Sequence, residues 1–378
     1  MYDSSYRVCR NIRWKDSTID LEENRLENIL RLKDELENGI YKQKPFYCFS
    51  IVERGKPRDI RACHIYDRLL QNTLCETVLI PELTPSFIYD NTATLKGKGI
   101  DFALKRAKIH LQKAGRKWNE FYALRIDIKK YFDSINHDAL KATVRHIITD
   151  EETLDVINGL IDTFNYSITK DTEFQKDKQY FTLVGEEFVP ATEFKKGVQY
   201  YEYNELSLGL GSQTSQLLAL LTLNGLDHYV KEQLHLKFYG RYMDDAYAFH
   251  NDKDYLQNCL ELIDKELSKI GLKLNRKKTC IIKIEPGKRK NPFKFLKWNF
   301  YLTDTFGIIQ LPFKEKITKQ HRKLRKMQQK YLKGELSIED IQLSYSGWRV
   351  TMSKGNCYNI IKKMDKYFNT LFEGVEII

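Results

Sequence analysis

Two adjacent carboxylates, Asp244 and Asp245, stand between two short apolar segments that have the composition of β-strands. Such a pattern predicts a hairpin whose turn carries negative charge. An isolated acidic pair is most often a solvated turn, because Asp is frequent there. A third carboxylate, Asp127, lies in a strand-like run of aromatic and branched residues over 121–128. The three acids together favour a metal site over a plain turn.

Carboxylates that are brought together repel one another unless divalent cations neutralise them. Two Mg²⁺ ions roughly 3.5 to 4 Å apart serve an in-line displacement at phosphorus, and hard oxygen ligands suit magnesium. We therefore expect two Mg²⁺ ions, with Mn²⁺ as a substitute. The acids alone would equally suit a two-metal nuclease, so other segments must separate synthesis from hydrolysis.

Positive charge is concentrated in one segment. The chain of 378 residues has 62 Lys and Arg against 51 Asp and Glu, a net charge of +11, which makes a polyanion the first partner to consider. Residues 276–333 hold 18 Lys or Arg against three acids, a net +15, so the other 320 residues sum to −4. Residues 314–333 are predicted to form a basic helix that packs on the protein through one narrow apolar seam. The seam consists of Ile317, Leu324, Met327 and Tyr331, which fall at helical spacing.

Composition also excludes several classes of protein. An apolar fraction of 42 % fills a large core, which argues against a disordered chain. Seven widely spaced cysteines indicate reduced thiols and argue against zinc. No secretory signal is visible, and the longest strongly apolar run, 217–223, is far below the roughly 18 residues needed to cross a bilayer. We expect a cytoplasmic protein without a membrane partner.

Hydrophobic periodicity predicts both helices and strands. Helices are expected over 20–38, 66–78, 101–114, 214–232 and 255–270, and over most of the C-terminal region. A strand-turn-strand is expected over 237–250. The segment 164–206 mixes polar residues with many aromatics and is predicted to be an inserted loop or irregular hairpin.

Several motifs resemble those of reverse transcriptases. Residues 242–245 (Tyr-Met-Asp-Asp) look like the family signature, and 127–135 look like its first palm motif. Further segments follow in the family's order: 56–60 with 66–71 resemble the fingers, 210–216 the second palm motif, 271–279 the segment with a lysine near the pyrophosphate, and 295–298 the primer grip. The resemblance runs from about Tyr41 to the C-terminus.

The resemblance implies an α+β fold, a right-hand polymerase with fingers, a ferredoxin-like palm and a helical thumb. Fingers and an N-terminal helix are expected over 1–115, the palm over 116–302 with the insert 164–206, and the basic thumb over 303–378. The implied activity is RNA-directed DNA polymerisation, which makes cDNA from an RNA template by two-metal nucleotidyl transfer.

The resemblance also assigns the catalytic centre. Asp127, Asp244 and Asp245 are expected to bind the metals, with Ile128 as a further metal contact. Lys278 is expected to act as the general acid for the departing pyrophosphate, and Lys277 remains the alternative.

Substrate contacts follow in the same way. Lys56 and Arg58 share one face of an extended strand and would bind the triphosphate. Phe132 would lie under the sugar, where a planar ring leaves no room for a 2′-hydroxyl, and Gln216 would contact the base or sugar edge. The residues expected at the template and primer are Gly211, Lys297, Trp298, Arg322, Lys323 and Lys326.

Two segments, 211–216 (Gly-x-x-x-Ser-Gln) and 345–348 (Tyr-Ser-Gly-Trp), look most like diversity-generating-retroelement and related phage-defence reverse transcriptases of bacteria. This implies a bacterial or phage retroelement or an antiviral defence system. The implied partners are an RNA template or noncoding RNA, a DNA or RNA primer, dNTPs and an accessory protein. The alternative function is an RNA-binding maturase or chaperone in which polymerisation is secondary.

Overall fold

The structure is a computed structural model that describes all residues except 45, 54–55, 170–172, 176, 186 and 374–378. For residues 53 and 56–59 it describes the backbone and not the side chains. The helices are α1 (Tyr2–Cys9), α2 (Asp16–Glu23), α3 (Arg25–Glu37), α4 (Ile65–Leu74), α5 (Ile80–Leu83), α6 (Ile100–Trp118), α7 (His137–Arg145), α8 (Glu151–Asp162), α9 (Gln213–Thr222), α10 (Asn224–His228), α11 (Lys253–Lys269), α12 (Lys314–Leu332), α13 (Ile338–Ser353) and α14 (Tyr358–Leu371).

The strands are β1 (Tyr47–Glu53), β2 (Lys56–Ala62), β3 (Phe121–Ile126), β4 (Tyr166–Ile168), β5 (Tyr180–Val184), β6 (Glu187–Ala191), β7 (Tyr200–Tyr203), β8 (Phe238–Tyr242), β9 (Asp245–His250), β10 (Cys280–Ile284), β11 (Phe293–Phe295), β12 (Trp298–Leu302) and β13 (Ile308–Pro312). They form sheets in the orders β1-β2, β10-β3-β9-β8, β11-β12-β13 and β4-β7-β5-β6, with every pairing antiparallel.

One compact unit comprises Ile100–Ile126, Leu236–Cys259 and Lys277–Ile378. It contains the β10-β3-β9-β8 sheet, the β11-β12-β13 sheet and α6, which share one hydrophobic core. A Cβ added to Gly115 would lie 2.5 Å from Cδ2 of Leu302. Helix α6 and strand β12 therefore approach so closely that only a glycine fits between them.

The same unit contains α12, α13 and α14, which enclose a core of their own. Leu324 of α12 is fully buried against Tyr345, Met364 and Phe368. The Tyr345 hydroxyl donates to Asp365 at 2.6 Å, and burial raises the pKa of this phenol, as does its carboxylate partner. The predicted seam of α12 is confirmed at three of its positions, Ile317, Leu324 and Met327, which belong to this core, while Tyr331 is 42 % exposed.

The other unit comprises Met1–Gly99, Asp127–His235 and Leu260–Arg276. Its N-terminal helices pack on α4 through an apolar cluster that includes Val8, Leu32 and Leu69. The predicted helix over 20–38 is divided at Asn24 into α2 and α3, and the one over 214–232 is divided into α9, α10 and a π-helical turn. Hydrophobic periodicity did not predict these breaks, because the apolar residues keep their helical spacing where the backbone leaves the regular α-helix.

The insert 164–206 differs from the expected irregular hairpin, because it folds into the four-stranded β4-β7-β5-β6 sheet. On one face of this sheet Tyr180 and Tyr200 are 2 % and 3 % exposed. Phe174 stacks on Tyr180 with ring centres 4.4 Å apart, and Phe194 lies 5.1 Å from Tyr200. Aromatic residues on both faces hide the alternation of apolar and polar residues that normally identifies a strand.

A buried histidine joins the two ends of the insert. The ring nitrogens of His137 lie 2.6 Å from Oδ1 of Asn165, just before β4, and 2.6 Å from the carbonyl oxygen of Ser207, just after β7. The backbone N–H of His137 donates to the carbonyl of Glu205 at 2.9 Å. This ring is 1 % exposed, so its hydrogen bonds are sheltered from water.

None of the helices in the described part of the chain is long and apolar enough to cross a membrane.

We expect His137→Ala to loosen the insert sheet, since the variant removes the ring's hydrogen bonds to Asn165 and Ser207, and a buried polar group left without a partner costs about 1–3 kcal/mol. Hydrogen exchange of the amides in 166–203 should become faster, while exchange in β3 and β9 stays unchanged. His146→Ala, at an exposed position of the same region, is the control. Unaltered protection of 166–203 would contradict the role of His137.

Candidate active site

The acidic pair lies in the tight turn between β8 and β9. Tyr242 pairs with Asp245, so Met243 and Asp244 form a two-residue loop. Met243 has φ +54°, in the left-handed region that costs an L-residue about 1–2 kcal/mol. The hairpin predicted over 237–250 is confirmed. Burial raises the pKa of the Tyr242 phenol.

A buried arginine supports this turn. Arg241 is 1 % exposed, and its Nη1 donates to the carbonyl of Met243 at 3.0 Å. A buried guanidinium is costly unless it is paired and hydrogen-bonded. Arg241 lies three residues before Asp244, so it both restrains the backbone of the turn and supplies positive charge next to it.

The third acid follows the neighbouring strand. Strand β3 ends at Ile126, which pairs with Ala246 of β9, and Asp127 is the next residue along the chain. Asp127 is 7 % exposed, and its carbonyl accepts from the Asn275 N–H at 2.7 Å. Ile128, the other predicted metal contact, is 4 % exposed and forms a bridge with Leu274, so only its backbone carbonyl is suited to a metal.

Residues predicted to contact the nucleotide lie on several elements. The backbones of Lys56 and Arg58 lie in β2, opposite Glu53 and Ile51, and their side chains are outside the described residues. Phe132 is half-buried in a 3₁₀ turn, with its ring 5.6 Å from that of Tyr131 in an edge-on arrangement.

The second predicted palm motif surrounds the start of α9. Ser212 caps the helix, since its Oγ accepts from the Ser215 N–H at 3.4 Å, and it donates to Gln71 at 2.7 Å. Gly211 has φ +123°, and a Cβ there would lie 3.2 Å from the carbonyl oxygen of Arg61. Glycine is thus required by the backbone itself. Gln216 is exposed on the first turn of α9.

The predicted primer grip is a second two-residue turn, between β11 and β12. Leu296 and Lys297 have φ +45° and +65°, and Phe295 pairs with Trp298. Positive φ at both positions is the geometry of a type I′ hairpin, which normally has Asn or Gly. The indole of Trp298 is 2 % exposed and has Lys316 Nζ 4.2 Å from its ring centre. Trp298 therefore packs in the core, and Lys297 is half-exposed on the turn.

The remaining predicted cations are exposed. Lys277 and Lys278 lie between α11 and β10 with exposed side chains. On α12, Arg322, Lys323 and Lys326 are exposed, the first and the last opposite the apolar seam and Lys323 at its flank. Lys323 Nζ donates to Ser344 at 2.5 Å.

The profile of the family described as "Reverse transcriptase (RNA-dependent DNA polymerase)" matches residues 41–300. The chain belongs to the reverse transcriptase family. The α+β right-hand polymerase fold expected from its motifs is confirmed. No curated protein sequence matches this reverse transcriptase.

Solved structures of telomerase are similar to this reverse transcriptase. Apo telomerase from Candida tropicalis, truncated from its C-terminal domain, has a TM-score of 0.50 at 15% identity over 70% of this chain and 55% of that chain. Telomerase from the same organism in complex with the TWJ fragment of telomeric RNA has a TM-score of 0.50 at 13% identity over 88% of this chain and 55% of that chain. This reverse transcriptase thus spans about half the length of those chains, and identities this low show the fold alone.

Among the residues that the structure describes, no three or more His, Cys, Asp or Glu side chains are arranged to hold a metal ion. The donor chemistry nevertheless fits a hard divalent cation, since Asp127, Asp244 and Asp245 supply only carboxylate oxygens. Sequence reasoning did not assign a role to Arg241. The sequence feature that could have indicated its role is a lone charged residue in the otherwise uncharged strand segment 238–242, which comes just before the acidic turn.

We expect Arg241→Gln to slow primer extension by about tenfold or more, because the turn loses its buried donor and its fixed positive charge. The affinity for primer–template should change little, since Arg241 is not exposed to it. Arg241→Lys, which keeps the charge, should restore part of the rate. Arg125→Gln, on strand β3 of the same sheet, is the matched control. A lower unfolding temperature with an unchanged extension rate would show that Arg241 is only structural.

Proposed function

We propose that this chain is an RNA-directed DNA polymerase that makes cDNA from an RNA template by two-metal nucleotidyl transfer. The observation that carries the proposal is the register of β3 and β9. Ile126 lies opposite Ala246, so the residue after β3 and the first residue of β9, both acidic, are at the same end of these paired strands. Family membership supplies the reaction class.

The proposed metal ligands are Asp127, Asp244, Asp245 and the backbone carbonyl of Ile128. Two Mg²⁺ ions, with Mn²⁺ as a substitute, suit these hard oxygen donors and supply, when bound, a lower pKa for the attacking hydroxyl and charge stabilisation for the leaving oxygens. The protein's own contribution is to hold the acids in place through the β8–β9 turn and Arg241.

Further residues are proposed to position the substrates. Lys56 and Arg58 would bind the triphosphate, and Phe132 would exclude the 2′-hydroxyl by contact with the sugar. Gln216, exposed on the first turn of α9, would contact the base or sugar edge. Lys278 would give a proton to the departing pyrophosphate, and Lys277, equally exposed in the same connection, is the alternative.

The duplex would lie along basic α12, held by Arg322, Lys323 and Lys326. These three side chains are exposed, whereas Leu324 on the same helix is buried, and phosphates attract such clustered cations. Gly211 would let the template approach the backbone, and the Leu296–Lys297 turn would contact the primer. Trp298 is proposed to support that turn from within the core.

We also propose a bacterial or phage setting, either a diversity-generating retroelement or an antiviral defence system. The partners would be an RNA template or noncoding RNA, a DNA or RNA primer, dNTPs and an accessory protein. The support is the motif pattern at 211–216 and 345–348. At the second of these, Tyr345 and Trp348 stack with ring centres 5.7 Å apart.

We expect Asp244→Asn to abolish nucleotide incorporation, to below about one hundredth of the wild-type rate, because several kcal/mol of charge stabilisation depend on the metal ligands. Binding of an RNA template, measured by filter retention, should be nearly unchanged. Asp254→Asn, an exposed acid on α11, is the control. Mg²⁺-dependent primer extension by Asp244→Asn at the wild-type rate would contradict the assignment.

We expect Phe132→Ala to admit ribonucleotides, because removal of the ring opens space beside the 2′ position. The ratio of dNTP to rNTP incorporation in single-nucleotide primer extension should fall by at least about tenfold. Phe132→Tyr, which keeps the ring, should retain the wild-type ratio. Equal ratios in the alanine variant and the wild-type protein would contradict the steric role.

A further inference from the structure

A cavity of about 730 Å³ lies next to the insert sheet, within the unit that contains the N-terminal helices. Cavities of this size hold small organic ligands. Its walls come from residues within 36–44, from Phe46, from β1 and β2, from α8 and from the insert sheet. None of the residues assigned above to the metals, the nucleotide or the duplex is among the described residues that line it.

The sheet turns an aromatic face to this cavity. Residues directly opposite each other in antiparallel strands share a face. Tyr201 lies opposite both Ile168 and Phe181, and Phe188 lies opposite Leu183. All five are only half-buried, in contrast to the buried tyrosines of the other face. The sheet's core is therefore on that other face, and the cavity face presents ring surface to a ligand.

The rings on this face support one another. Tyr166 and Phe188 stack with ring centres 4.0 Å apart and planes inclined by 10°. Tyr201 meets Phe188 edge-on at 5.0 Å. Because these rings are already packed together, a flat ligand that stacks on them need not order them first.

The remaining walls carry charges of both signs. The cations that line the cavity are Lys42 and Lys44, which precede β1, and Arg61 of β2. The acids that line it are Glu152 and Asp155 of α8. Arg61 is held in place, since its Nη1 donates to the carbonyl of Phe164 at 3.2 Å. Cations bind phosphates, whereas carboxylates accept hydrogen bonds from amino and hydroxyl groups. A ligand that carries phosphates, amino groups, hydroxyl groups and flat rings therefore fits the lining.

We propose that this cavity binds unpaired RNA. Bases would stack on Tyr166, Phe188 and Tyr201, as single-stranded nucleic acids do on aromatic sheet faces. Lys42 and Lys44 would bind phosphates. Carboxylates of α8 would accept from base amino groups and from the 2′-hydroxyl, which DNA lacks. The identity of the ligand rests on the proposed function, because a polymerase that copies RNA must handle unpaired template.

The test measures binding without synthesis. The full chain carrying Asp244→Asn is saturated with an RNA–DNA hybrid duplex to occupy the other nucleic-acid surfaces, and fluorescein-labelled oligouridylate and oligoadenylate are then titrated in by anisotropy. Tyr201→Ala and Phe188→Ala should each weaken binding roughly tenfold, and this loss should persist at high salt. Val184→Ala, 61 % exposed at a position on the opposite face, is the matched control and should bind normally.

Salt dependence separates the two kinds of contact. Lys42→Gln should make the log–log dependence of affinity on salt shallower by roughly 0.7, the value for one phosphate of a single strand, whereas Tyr201→Ala should leave the slope unchanged. Photocross-linking of a 4-thiouridine probe should label peptides from 36–61 or 152–203. Unfolding temperatures of all variants are recorded, and Tyr201→Phe should rescue binding if stacking is the cause.

Three results would overturn the proposal. These are an unchanged affinity in both folded aromatic variants, cross-links confined to other segments, and equal affinity for the matching oligodeoxynucleotide. Each would assign the cavity to another ligand, a protein segment or DNA included. Primer extension by the protein without the Asp244→Asn change is scored separately. Its absence, with Tyr201-dependent RNA binding retained, would refute the proposed function alone.

Discussion

The antiparallel pairing of β3 with β9 determines where the acidic residues stand. A shift of one residue in this register would turn every side chain of a strand to the opposite face of the sheet. Aromatic packing opposes such a shift, since Phe121 of β3 meets Phe249 of β9 edge-on at 5.6 Å and both are buried. The carboxylates repel one another. The hydrophobic packing of β3 on β9, together with the buried Arg241, offsets this repulsion and holds the acidic residues at this end of the sheet.

Local backbone strain is found at two turns that carry predicted functions. Met243 at the acidic turn, and Leu296 with Lys297 at the predicted primer grip, have positive φ, although none of them is Gly, Asn or Asp. Strain of this kind persists only where surrounding structure imposes it. At the acidic turn Arg241 provides that restraint. At the other turn, the buried indole of Trp298 anchors the returning strand.

Features that depend on local pattern could be predicted from the sequence. The β8–β9 hairpin and the seam of α12 follow from alternation and helical spacing, and the structure has both. The burial of Arg241 could not be predicted, because its desolvation is set by neighbouring strands rather than by its own segment. The insert sheet was missed since aromatic residues on both faces remove the period of two, and the side chains of Lys56 and Arg58 remain predictions.

The backbone just after the insert is hydrogen-bonded to Phe132. The N–H of Leu208, just after the insert, donates to the Phe132 carbonyl at 2.8 Å, and that of Ser207 donates to Ile135 at 2.9 Å. The ring proposed to select the sugar is therefore one backbone hydrogen bond away from the end of the insert. Thermodynamic linkage makes any coupling along this path reciprocal. An RNA segment that stabilised the insert sheet and thereby changed the affinity for dNTP would itself be bound more or less tightly, by the same factor, each time a nucleotide entered.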